Sequence, residues 1–464
     1  MKYVSTRGTA PVLSFDEVLL AGLARDGGLY VPETWPQVSA DQMAGWKGLS
    51  YTELALEVIA PFVGSSLSRD ELAAIIDDAY SHFETKDVAP LVALGDNEHL
   101  LELFHGPTLA FKDVAMQFLG PLFDHVLAKK GAKVCIVGAT SGDTGSAAIE
   151  AVRDRDNIDA FILYPHGRVS EVQRRQMTTV KADNIHTIAL EGTFDDCQDA
   201  LKALFNDLDF RDRHRMSAVN SINWARIVAQ VVYYFWAALK LGAPEKPVAF
   251  AVPTGNFGNV FSGYVAMKMG LPISQFIIGS NANDILTRFF ETGAMEMMGV
   301  TPTISPSMDI QVSSNFERLL FELYDRDGAK VAATMTHFRE TGKFEVAAEI
   351  LERATALFDG ASFDDEETKA LIGVEWAREH HLYDPHTAVG LAAGRECRRD
   401  EEVPLVILAT AHPAKFPDAV EAASDERPQL PPHLADLLER DECINVLAND
   451  LDKLKAFIDE KVRT

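Results

Sequence analysis

From about residue 90 onward, short apolar segments rich in β-branched residues alternate with segments of helical periodicity. A strand with one wet face alternates apolar and polar residues, whereas a strand buried on both faces is apolar throughout. Continuous apolar strands separated by helices are typical of a parallel sheet that is covered by helices on both sides. The sequence therefore predicts an α/β fold with strands at 133–137, 159–164, 184–190, 248–252, 273–278 and 403–408.

The first 90 or so residues have a different pattern, with apolar residues at helical spacing over 52–63 and 68–83. Ser68 is followed three residues later by Glu71, which is the pattern of a capping box at a helix start. We therefore expect three consecutive regions: a mostly helical N-terminal region at 1–95, a first α/β lobe at 96–235 and a second α/β lobe at 236–464.

Composition excludes several classes of protein. A chain of 464 residues that is 47% hydrophobic and 24% charged is not disordered, collagen-like or coiled-coil. The formal net charge of −26 opposes non-specific binding to nucleic acid, although it permits a locally basic site for a small anion.

The number of cysteines and the length of the apolar segments predict the cellular compartment of the protein. The 4 cysteines are too few for a disulfide framework, and the N-terminus lacks the apolar segment of a signal peptide. The longest apolar segment, 227–241, is interrupted by Gln230 and Lys240 and is too short to cross a bilayer. We expect a soluble cytoplasmic protein with no membrane or nucleic-acid partner.

Two glycine-rich loops follow predicted strands, where parallel sheets bind their ligands. The first, 138–146, has glycines at 138, 142 and 145, which is not the spacing of a dinucleotide-binding loop. Its N–H groups and hydroxyls at a helix start favour an anion, although a tight strand-to-helix turn has the same composition. The second, 253–259, lacks the Gly-Lys-Ser/Thr ending of a nucleotide loop, so a compact monophosphate fits it better.

Lys112 lies directly after Leu109, Ala110 and Phe111, ahead of both loops. Desolvation lowers the pKa of a lysine amine, which is what a Schiff-base lysine needs. The same pattern is also consistent with a surface lysine whose aliphatic stem covers apolar neighbours.

Three further segments carry candidate polar groups. Residues 166–176 are rich in arginine and indicate an anion site, with a charged helix face as the alternative. Residues 220–226 combine small polar groups with one arginine ahead of an apolar helix. Thr410 follows the strand at 403–408, so its hydroxyl would face the ligand-binding edge, whereas His412 is more typical of a packed histidine.

Together these segments resemble the threonine synthase family, pyridoxal-phosphate enzymes with the fold of the tryptophan synthase β subunit. The most specific motif is His-Gly-Pro-Thr-Leu-Ala-Phe-Lys-Asp at 105–113, followed in order by the two glycine loops. The resemblance extends over nearly the whole chain through the segments 6–8, 26–32, 139–145, 253–258 and 410–416. It implies two parallel-sheet α/β lobes with the cofactor in the cleft between them.

The resemblance also implies roles for individual residues. Lys112 would be the catalytic residue and would carry pyridoxal 5'-phosphate, and Thr410 would face the ring nitrogen. The cofactor phosphate would be held by Gly255, Asn256, Phe257, Gly258 and Asn259. The substrate carboxylate would be bound by Ser141, Gly142, Asp143 and Thr144. For a substrate phosphate we predict a pocket drawn from Arg168, Ser170, Arg174, Arg175, Asn220, Asn223 and Arg226, and we expect no metal.

The implied reaction converts O-phospho-L-homoserine and water to L-threonine and phosphate by γ-elimination and β-addition, the last step of threonine biosynthesis. We expect a monomer or small homo-oligomer. One alternative is another enzyme of this fold, such as a threonine or serine dehydratase or a cysteine synthase, which needs no second anion pocket. A catalytically silent, metabolite-binding homologue is the other alternative, and the intact Lys112 and glycine loops count against it.

Overall fold

The computed structural model describes residues 1–140, 142–217 and 221–463. The described strands are β1 (Tyr3–Ser5), β2 (Tyr30–Pro32), β3 (Leu91–Gly95), β4 (Glu98–Glu102), β5 (Val134–Ala139), β6 (Ile158–Pro165), β7 (Ile185–Glu191), β8 (Met216–Ser217), β9 (Val248–Pro253), β10 (Ile273–Ser280), β11 (Ala294–Glu296), β12 (Lys343–Glu345), β13 (Phe358–Ser362), β14 (Leu405–Ala409) and β15 (Asn445–Ala448).

The described α-helices are α1 (Phe15–Ala21), α2 (Ala40–Gly45), α3 (Tyr51–Val63), α4 (Arg69–Tyr80), α5 (Lys112–Lys130), α6 (Asp143–Val152), α7 (Glu171–Thr178), α8 (Phe194–Asn206), α9 (Leu208–Arg213), α10 (Trp224–Lys240), α11 (Gly258–Lys268), α12 (Ile285–Thr292), α13 (Phe316–Leu323), α14 (Gly328–Thr341), α15 (Ala348–Thr355), α16 (Asp365–Glu379), α17 (Pro385–Cys397), α18 (Pro417–Ser424) and α19 (Leu451–Lys461). Among these helices, none combines the length and the apolar character that crossing a bilayer requires.

The chain forms two compact units, each assembled from separate segments of sequence. The first unit contains Met1–Ile76, Phe83–His105 and Ser221–Pro428, and the second contains Asp77–His82, Gly106–Asn220 and Gln429–Thr464. The three consecutive regions expected from the sequence stay a prediction.

The first unit contains a six-stranded sheet in the order β13-β10-β9-β14-β4-β3. All neighbouring pairs are parallel except β3 and β4, which are antiparallel. Every residue of β9 and β14 is buried, as their continuous apolar sequences predict. Because β9 and β14 are parallel neighbours, the loop after β9 and Thr410 after β14 lie at the same edge of this sheet.

The second unit contains a parallel five-stranded sheet in the order β15-β7-β6-β5-β8. Strand β6 is buried along its whole length, and the first glycine-rich loop follows β5. The predicted α/β class with parallel sheets is therefore confirmed, and each of the six predicted strands overlaps an observed one.

The helical part of the N-terminal region follows from its sequence pattern. The two predicted helices correspond to α3 and α4. At the start of α4, Ser68 N donates to Glu71 Oε2 over 2.7 Å, and Glu71 N donates to Ser68 Oγ over 3.2 Å. This reciprocal bonding is the predicted capping box.

Candidate active site

Lys112 is the first residue of α5 and follows a tightly constrained turn. Asp113 accepts hydrogen bonds from Thr108 N (2.8 Å) and Thr108 Oγ1 (2.7 Å). Leu109, within this turn, is buried with φ +63°, a left-handed conformation that is uncommon outside glycine. A Cβ on Gly106 would lie 2.5 Å from Asp113 Cβ, so the turn also requires a glycine there. Such constraint is typical of a backbone that holds a functional side chain in place.

The Lys112 amine lies beside a carboxylate of the same unit. Its Nζ is 3.4 Å from Asp143 Oδ2, and both side chains are mostly buried. Asp143 Oδ1 accepts from Gln173 Nε2 over 2.8 Å. Ser170 Oγ donates to Gln173 Oε1 over 3.0 Å and accepts from Gln173 N over 3.3 Å. The second unit thus brings together three of the predicted residues, Lys112, Asp143 and Ser170, and Gln173 is a link that the sequence analysis missed.

The first glycine-rich loop is shaped by its own side chains. Thr140 Oγ1 accepts from Gly142 N (3.0 Å) and Gly145 N (2.9 Å). A Cβ on Gly142 would lie 2.5 Å from Gln173 Cδ, and one on Gly145 would lie 2.4 Å from Thr140 Cγ2. Thr144 is half-buried in the first turn of α6, and Ser141 lies outside the described residues. The loop therefore has the close packing of a tight strand-to-helix turn, which is compatible with an anion site at the helix start.

Two arginines of the predicted phosphate pocket are engaged within the second unit. Arg174 forms a two-pronged ion pair with Glu442, with Nε–Oε2 and Nη2–Oε1 distances of 2.9 and 3.1 Å. Arg175 donates to Glu171 Oε1 (3.3 Å) and to the Arg440 carbonyl (3.1 Å). Arg168 is exposed. This geometry matches the alternative interpretation of the segment, a charged helix face.

The loop after β9 in the first unit has the features of a phosphate cup. Phe257 has φ +59° and precedes α11, which begins at Gly258. A Cβ on Gly255 would lie 3.2 Å from Met308 Cα, and one on Gly258 would lie 3.2 Å from Asn315 Nδ2. Within the described parts of the chain, no hydrogen bond engages the backbone N–H groups of residues 255–258. These N–H groups remain available to an anion at the start of a helix.

The segment before α13 forms hydrogen bonds with the carbonyl groups of this loop. Ser313 Oγ donates to the Gly255 carbonyl over 2.6 Å, and Asn315 donates to the Asn256 carbonyl from both N and Nδ2 over 3.0 Å. The carbonyl oxygens of Gly255 and Asn256 are therefore fixed by hydrogen bonds from this segment. The sequence analysis missed Ser313 and Asn315, for which an isolated run of small polar residues before a helix was the only signal.

Asn259 carries a buried amide that is only partly satisfied. Its Oδ1 accepts from the Tyr233 hydroxyl (2.5 Å) and the Tyr234 hydroxyl (3.0 Å). Its Nδ2 has no hydrogen-bond partner among the residues described here. Buried amide donors are rarely left unpaired, so this group in the first turn of α11 points to a missing acceptor.

Arg226, in the first turn of α10, is a buried cation of the first unit with unsatisfied donors. It is 5% exposed, and its Nε and Nη1 atoms have no hydrogen-bond partner among the described residues. Burial lowers the pKa of this guanidinium to about 10. The nearby Asn223 is instead engaged by the fold, since its Nδ2 donates to the Leu19 carbonyl and its Oδ1 caps α10. The remaining member of this predicted set, Asn220, lies outside the described residues.

Thr410, at the end of β14, is 5% exposed and is held by its backbone. Its N–H donates to Thr387 Oγ1 over 3.2 Å. Thr387 belongs to the start of α17, which packs on β9, β10 and β14. Thr410 thus follows β14 at the same sheet edge as the phosphate cup.

Comparison with known proteins decides the family. The model for the threonine synthase N terminus matches residues 2–80, that for the pyridoxal-phosphate dependent enzymes matches 93–336, and that for the threonine synthase C-terminal region matches 387–458. A threonine synthase of Pseudomonas aeruginosa is 56% identical over 461 residues, which cover 99% of this chain and 98% of that one. The chain belongs to the threonine synthase family.

Solved structures of threonine synthases have the same fold. The pyridoxal-phosphate-bound threonine synthase of Brucella melitensis superposes with a TM-score of 0.99 at 54% identity and covers 100% of both chains. The yeast threonine synthase superposes with a TM-score of 0.94 at 41% identity, covering 99% of this chain and 98% of that one. Family membership thus extends over the whole chain.

The residues of each unit fit the cofactor of this family. In the first unit, the cup at 255–258 has available N–H groups and leaves no room for a Cβ at Gly255 without displacing backbone. Asn259 Nδ2 adds a buried donor that lacks an acceptor among the described residues. In the second unit, Lys112 supplies a mostly buried amine beside Asp143. The first unit therefore has groups that match a phosphate, and the second has an amine that matches an aldehyde.

Proposed function

We propose that this chain is a pyridoxal-phosphate-dependent lyase that converts O-phospho-L-homoserine and water to L-threonine and phosphate. Its similarity to threonine synthases along the full chain supports this reaction. The observation that carries the proposal is the buried, incompletely paired guanidinium of Arg226. A dehydratase or cysteine synthase acting on a substrate without a phosphate has no use for such a second anion site.

Arg226 belongs to the helix that packs beside the phosphate cup within the first unit. Helices α10 and α11 pack against each other, and a Cβ on Gly258 would lie 3.7 Å from the side chain of Ile227, the residue after Arg226. An unpaired buried charge is costly, whereas a guanidinium that meets a phosphate forms two parallel charge-assisted hydrogen bonds. We therefore assign the substrate phosphate to Arg226, in preference to Arg174 and Arg175.

The reaction needs a base that also returns protons, and Lys112 fits this role. When bound, pyridoxal phosphate supplies an electron sink for the negative charge that develops on the amino-acid substrate. The Lys112 amine can take a proton from one substrate carbon and deliver it to another. The Asp143 carboxylate, 3.4 Å away, stabilises the ammonium form, and Gln173 orients that carboxylate. This arrangement holds the proton at Nζ between transfers.

Other predicted residues would position the reactants. Thr410 offers a neutral hydroxyl to the ring nitrogen, where a carboxylate would hold a positive charge by pairing. The start of α6, with Gly142, Asp143 and Thr144, would bind the substrate carboxylate through the helix dipole, the Thr144 hydroxyl and backbone N–H groups other than that of Gly142, which donates to Thr140 Oγ1. Residues 255–259 would hold the cofactor phosphate. Loss of phosphate and addition of water at the β carbon then complete the reaction.

Cellular context completes the proposal. We expect a cytoplasmic enzyme that acts on a small molecule as a monomer or small homo-oligomer. The net charge of −26 supports the absence of a nucleic-acid partner. The division into consecutive regions at 1–95, 96–235 and 236–464 stays a prediction.

The products distinguish this function from the alternatives. Purified protein loaded with pyridoxal phosphate is incubated with O-phospho-L-homoserine, L-serine or L-threonine, and phosphate, L-threonine and 2-oxo acids are quantified. We expect equal amounts of phosphate and L-threonine from phosphohomoserine only. Oxo acid from serine or threonine at a higher rate would establish a dehydratase, and no turnover with bound cofactor would establish a silent homologue.

A further inference from the structure

Asp384 is a fully buried carboxylate at the start of α17, and it accepts several hydrogen bonds at once. Its Oδ2 accepts from His386 Nδ1 (2.7 Å) and His386 N (2.9 Å). Its Oδ1 accepts from Thr387 N (3.1 Å) and from the Thr387 hydroxyl. Capping a helix requires only the backbone donors, so the two side-chain contacts need a separate explanation.

Each side-chain contact leads to a different part of the sheet edge. The Thr387 hydroxyl donates to Asp384 and therefore presents a lone pair, which accepts from Thr410 N over 3.2 Å. His386 Nε2 accepts from Ser307 N over 3.2 Å. Ser307 belongs to the segment that packs on the phosphate cup, since a Cβ on Gly255 would lie 3.3 Å from the Ser307 carbonyl oxygen. One carboxylate is thus connected to both proposed cofactor contacts of the first unit.

The direction of these hydrogen bonds depends on the charge of Asp384. Because Ser307 N–H can only donate, His386 Nε2 must be unprotonated and the ring proton must lie on Nδ1, facing Asp384. A carboxylate has only acceptors and selects this tautomer, whereas an amide that turns its NH2 group toward His386 would offer a donor to Nδ1. The histidine would then turn its proton toward the Ser307 N–H group.

We propose that Asp384 is a positioning residue that sets both cofactor-binding loops of the first unit, through Thr387 to Thr410 and through His386 to the wall of the phosphate cup. This inference rests on the proposed function for the identity of the cofactor. It assigns to the buried start of α17 a role beyond capping the helix, and it makes ring contact and phosphate contact depend on a single carboxylate.

Three variants separate the two connections. Thr387→Val removes the acceptor for Thr410 N–H and keeps the side-chain volume, so we expect a shifted absorption band of the bound cofactor and a lower kcat. His386→Leu removes the acceptor for Ser307 N–H, so we expect a roughly 10-fold weaker retention of the cofactor with an unshifted band. Asp384→Asn should produce both effects. Asp364→Asn is the control for the loss of a capping carboxylate, because Asp364 caps α16 through the N–H groups of Glu366 and Glu367.

Three measurements on the pyridoxal-phosphate-loaded protein follow these effects. Equilibrium dialysis gives cofactor retention, absorption spectroscopy gives the band, and ¹⁵N NMR of labelled histidine gives the tautomer of His386, assigned with His386→Leu. We expect the Nδ1–H tautomer in the unmodified protein and its loss in Asp384→Asn. None of these readouts uses the substrate, so a failure of phosphohomoserine turnover would leave the positioning role testable.

Two sets of results would contradict the positioning role of Asp384. If Asp384→Asn changes only the melting temperature, as Asp364→Asn should, and leaves dialysis, spectrum and tautomer unchanged, Asp384 is a helix cap and the proposal is wrong. If Asp384→Asn does not fold, the two other variants decide. An unshifted band in Thr387→Val together with unchanged cofactor retention in His386→Leu would overturn the proposal.

Discussion

At the scale of single residues, Arg226 tests the second anion site. Arg226→Met keeps most of the side-chain volume and removes a buried charge whose Nε and Nη1 lack partners among the described residues. We expect the variant to raise the KM for phosphohomoserine about 10- to 100-fold, the cost of one charge-assisted hydrogen bond to phosphate. The absorption band of the bound cofactor should stay unchanged. Steady-state kinetics and a spectrum measure both quantities.

We expect the same substitution to stabilise the fold, although it weakens substrate binding. Leaving a buried donor unpaired costs about 1–3 kcal/mol, so Arg226→Met should raise the free energy of unfolding in the absence of ligands. Arg174→Met is the matched control, since Arg174 is already paired with Glu442 and should not affect the KM. A KM that rises in Arg174→Met and not in Arg226→Met would return the phosphate pocket to the basic segment at 166–176.

Thr410 tests the contact to the cofactor ring. Thr410→Ala removes the hydroxyl and retains the backbone bond to Thr387, so the cofactor should stay bound while its band shifts and turnover falls. Thr410→Asp should favour a protonated ring and divert substrate to side products, because a carboxylate pairs with the ring's positive charge. Absorption spectra and product analysis check both variants. An unchanged band and rate in Thr410→Ala would remove this residue from the site.

At the scale of elements, the loop between β9 and α11 leaves little room for a side chain at Gly255. Gly255→Val would press against the Met308 backbone and Ile310, so we expect cofactor retention to fall far more than folding stability. Gly45→Val, at the end of α2, is the control because a Cβ there meets nothing within 4 Å. Equilibrium dialysis and thermal melting compare the two. Equal cofactor affinity in both variants would contradict the phosphate cup.

Local sequence patterns predicted the elements better than the partners of their side chains. The buried strands β6 and β9 are recognisable because burial on both faces leaves a continuous apolar sequence. The pairing of Arg174 with Glu442 is not recognisable, since 268 residues separate them along the chain. The arginine cluster therefore indicated a bound anion, whereas the fold itself supplies the carboxylate of Glu442. The sequence around Arg226 does not indicate that its side chain is buried, because the burial arises only when α10 packs.

The start of α17 could have been recognised in part. Asp384 followed by a proline is the pattern of a helix cap with proline in the first turn, and this predicts the helix boundary. The connection of Asp384 to Thr410 and to Ser307 could not be predicted, because it depends on which strands are neighbours in the sheet.

At the scale of the whole molecule, partly buried histidines make stability depend on pH. Burial, reinforced by electrostatic interaction with the nearby His105, lowers the pKa of His412 from 6.5 to about 4. The folded state therefore favours neutral His412, and its contribution is complete above pH 6.5 and is lost as the pH falls toward 4. The loss amounts to at most about 3 kcal/mol. Burial also lowers the pKa values of His99, His186 and His381, in the same direction.

His412→Asn isolates this contribution. The asparagine can still accept the Ala414 N–H bond that His412 Nδ1 accepts now, but it does not titrate. Denaturant unfolding between pH 4 and pH 7 should therefore show a smaller loss of stability in the variant than in the unmodified protein. Identical pH profiles would show that His412 is not the responsible group.

Lys112 is the proposed attachment point of the cofactor, and the roles of the other site residues depend on it. Borohydride reduces the double bond between a lysine nitrogen and bound pyridoxal phosphate to a stable amine, and peptide mass spectrometry then locates the added mass. We expect the adduct on Lys112 in the unmodified protein and no adduct in Lys112→Ala, together with loss of threonine formation. An adduct on another lysine, or normal turnover by Lys112→Ala, would contradict the account.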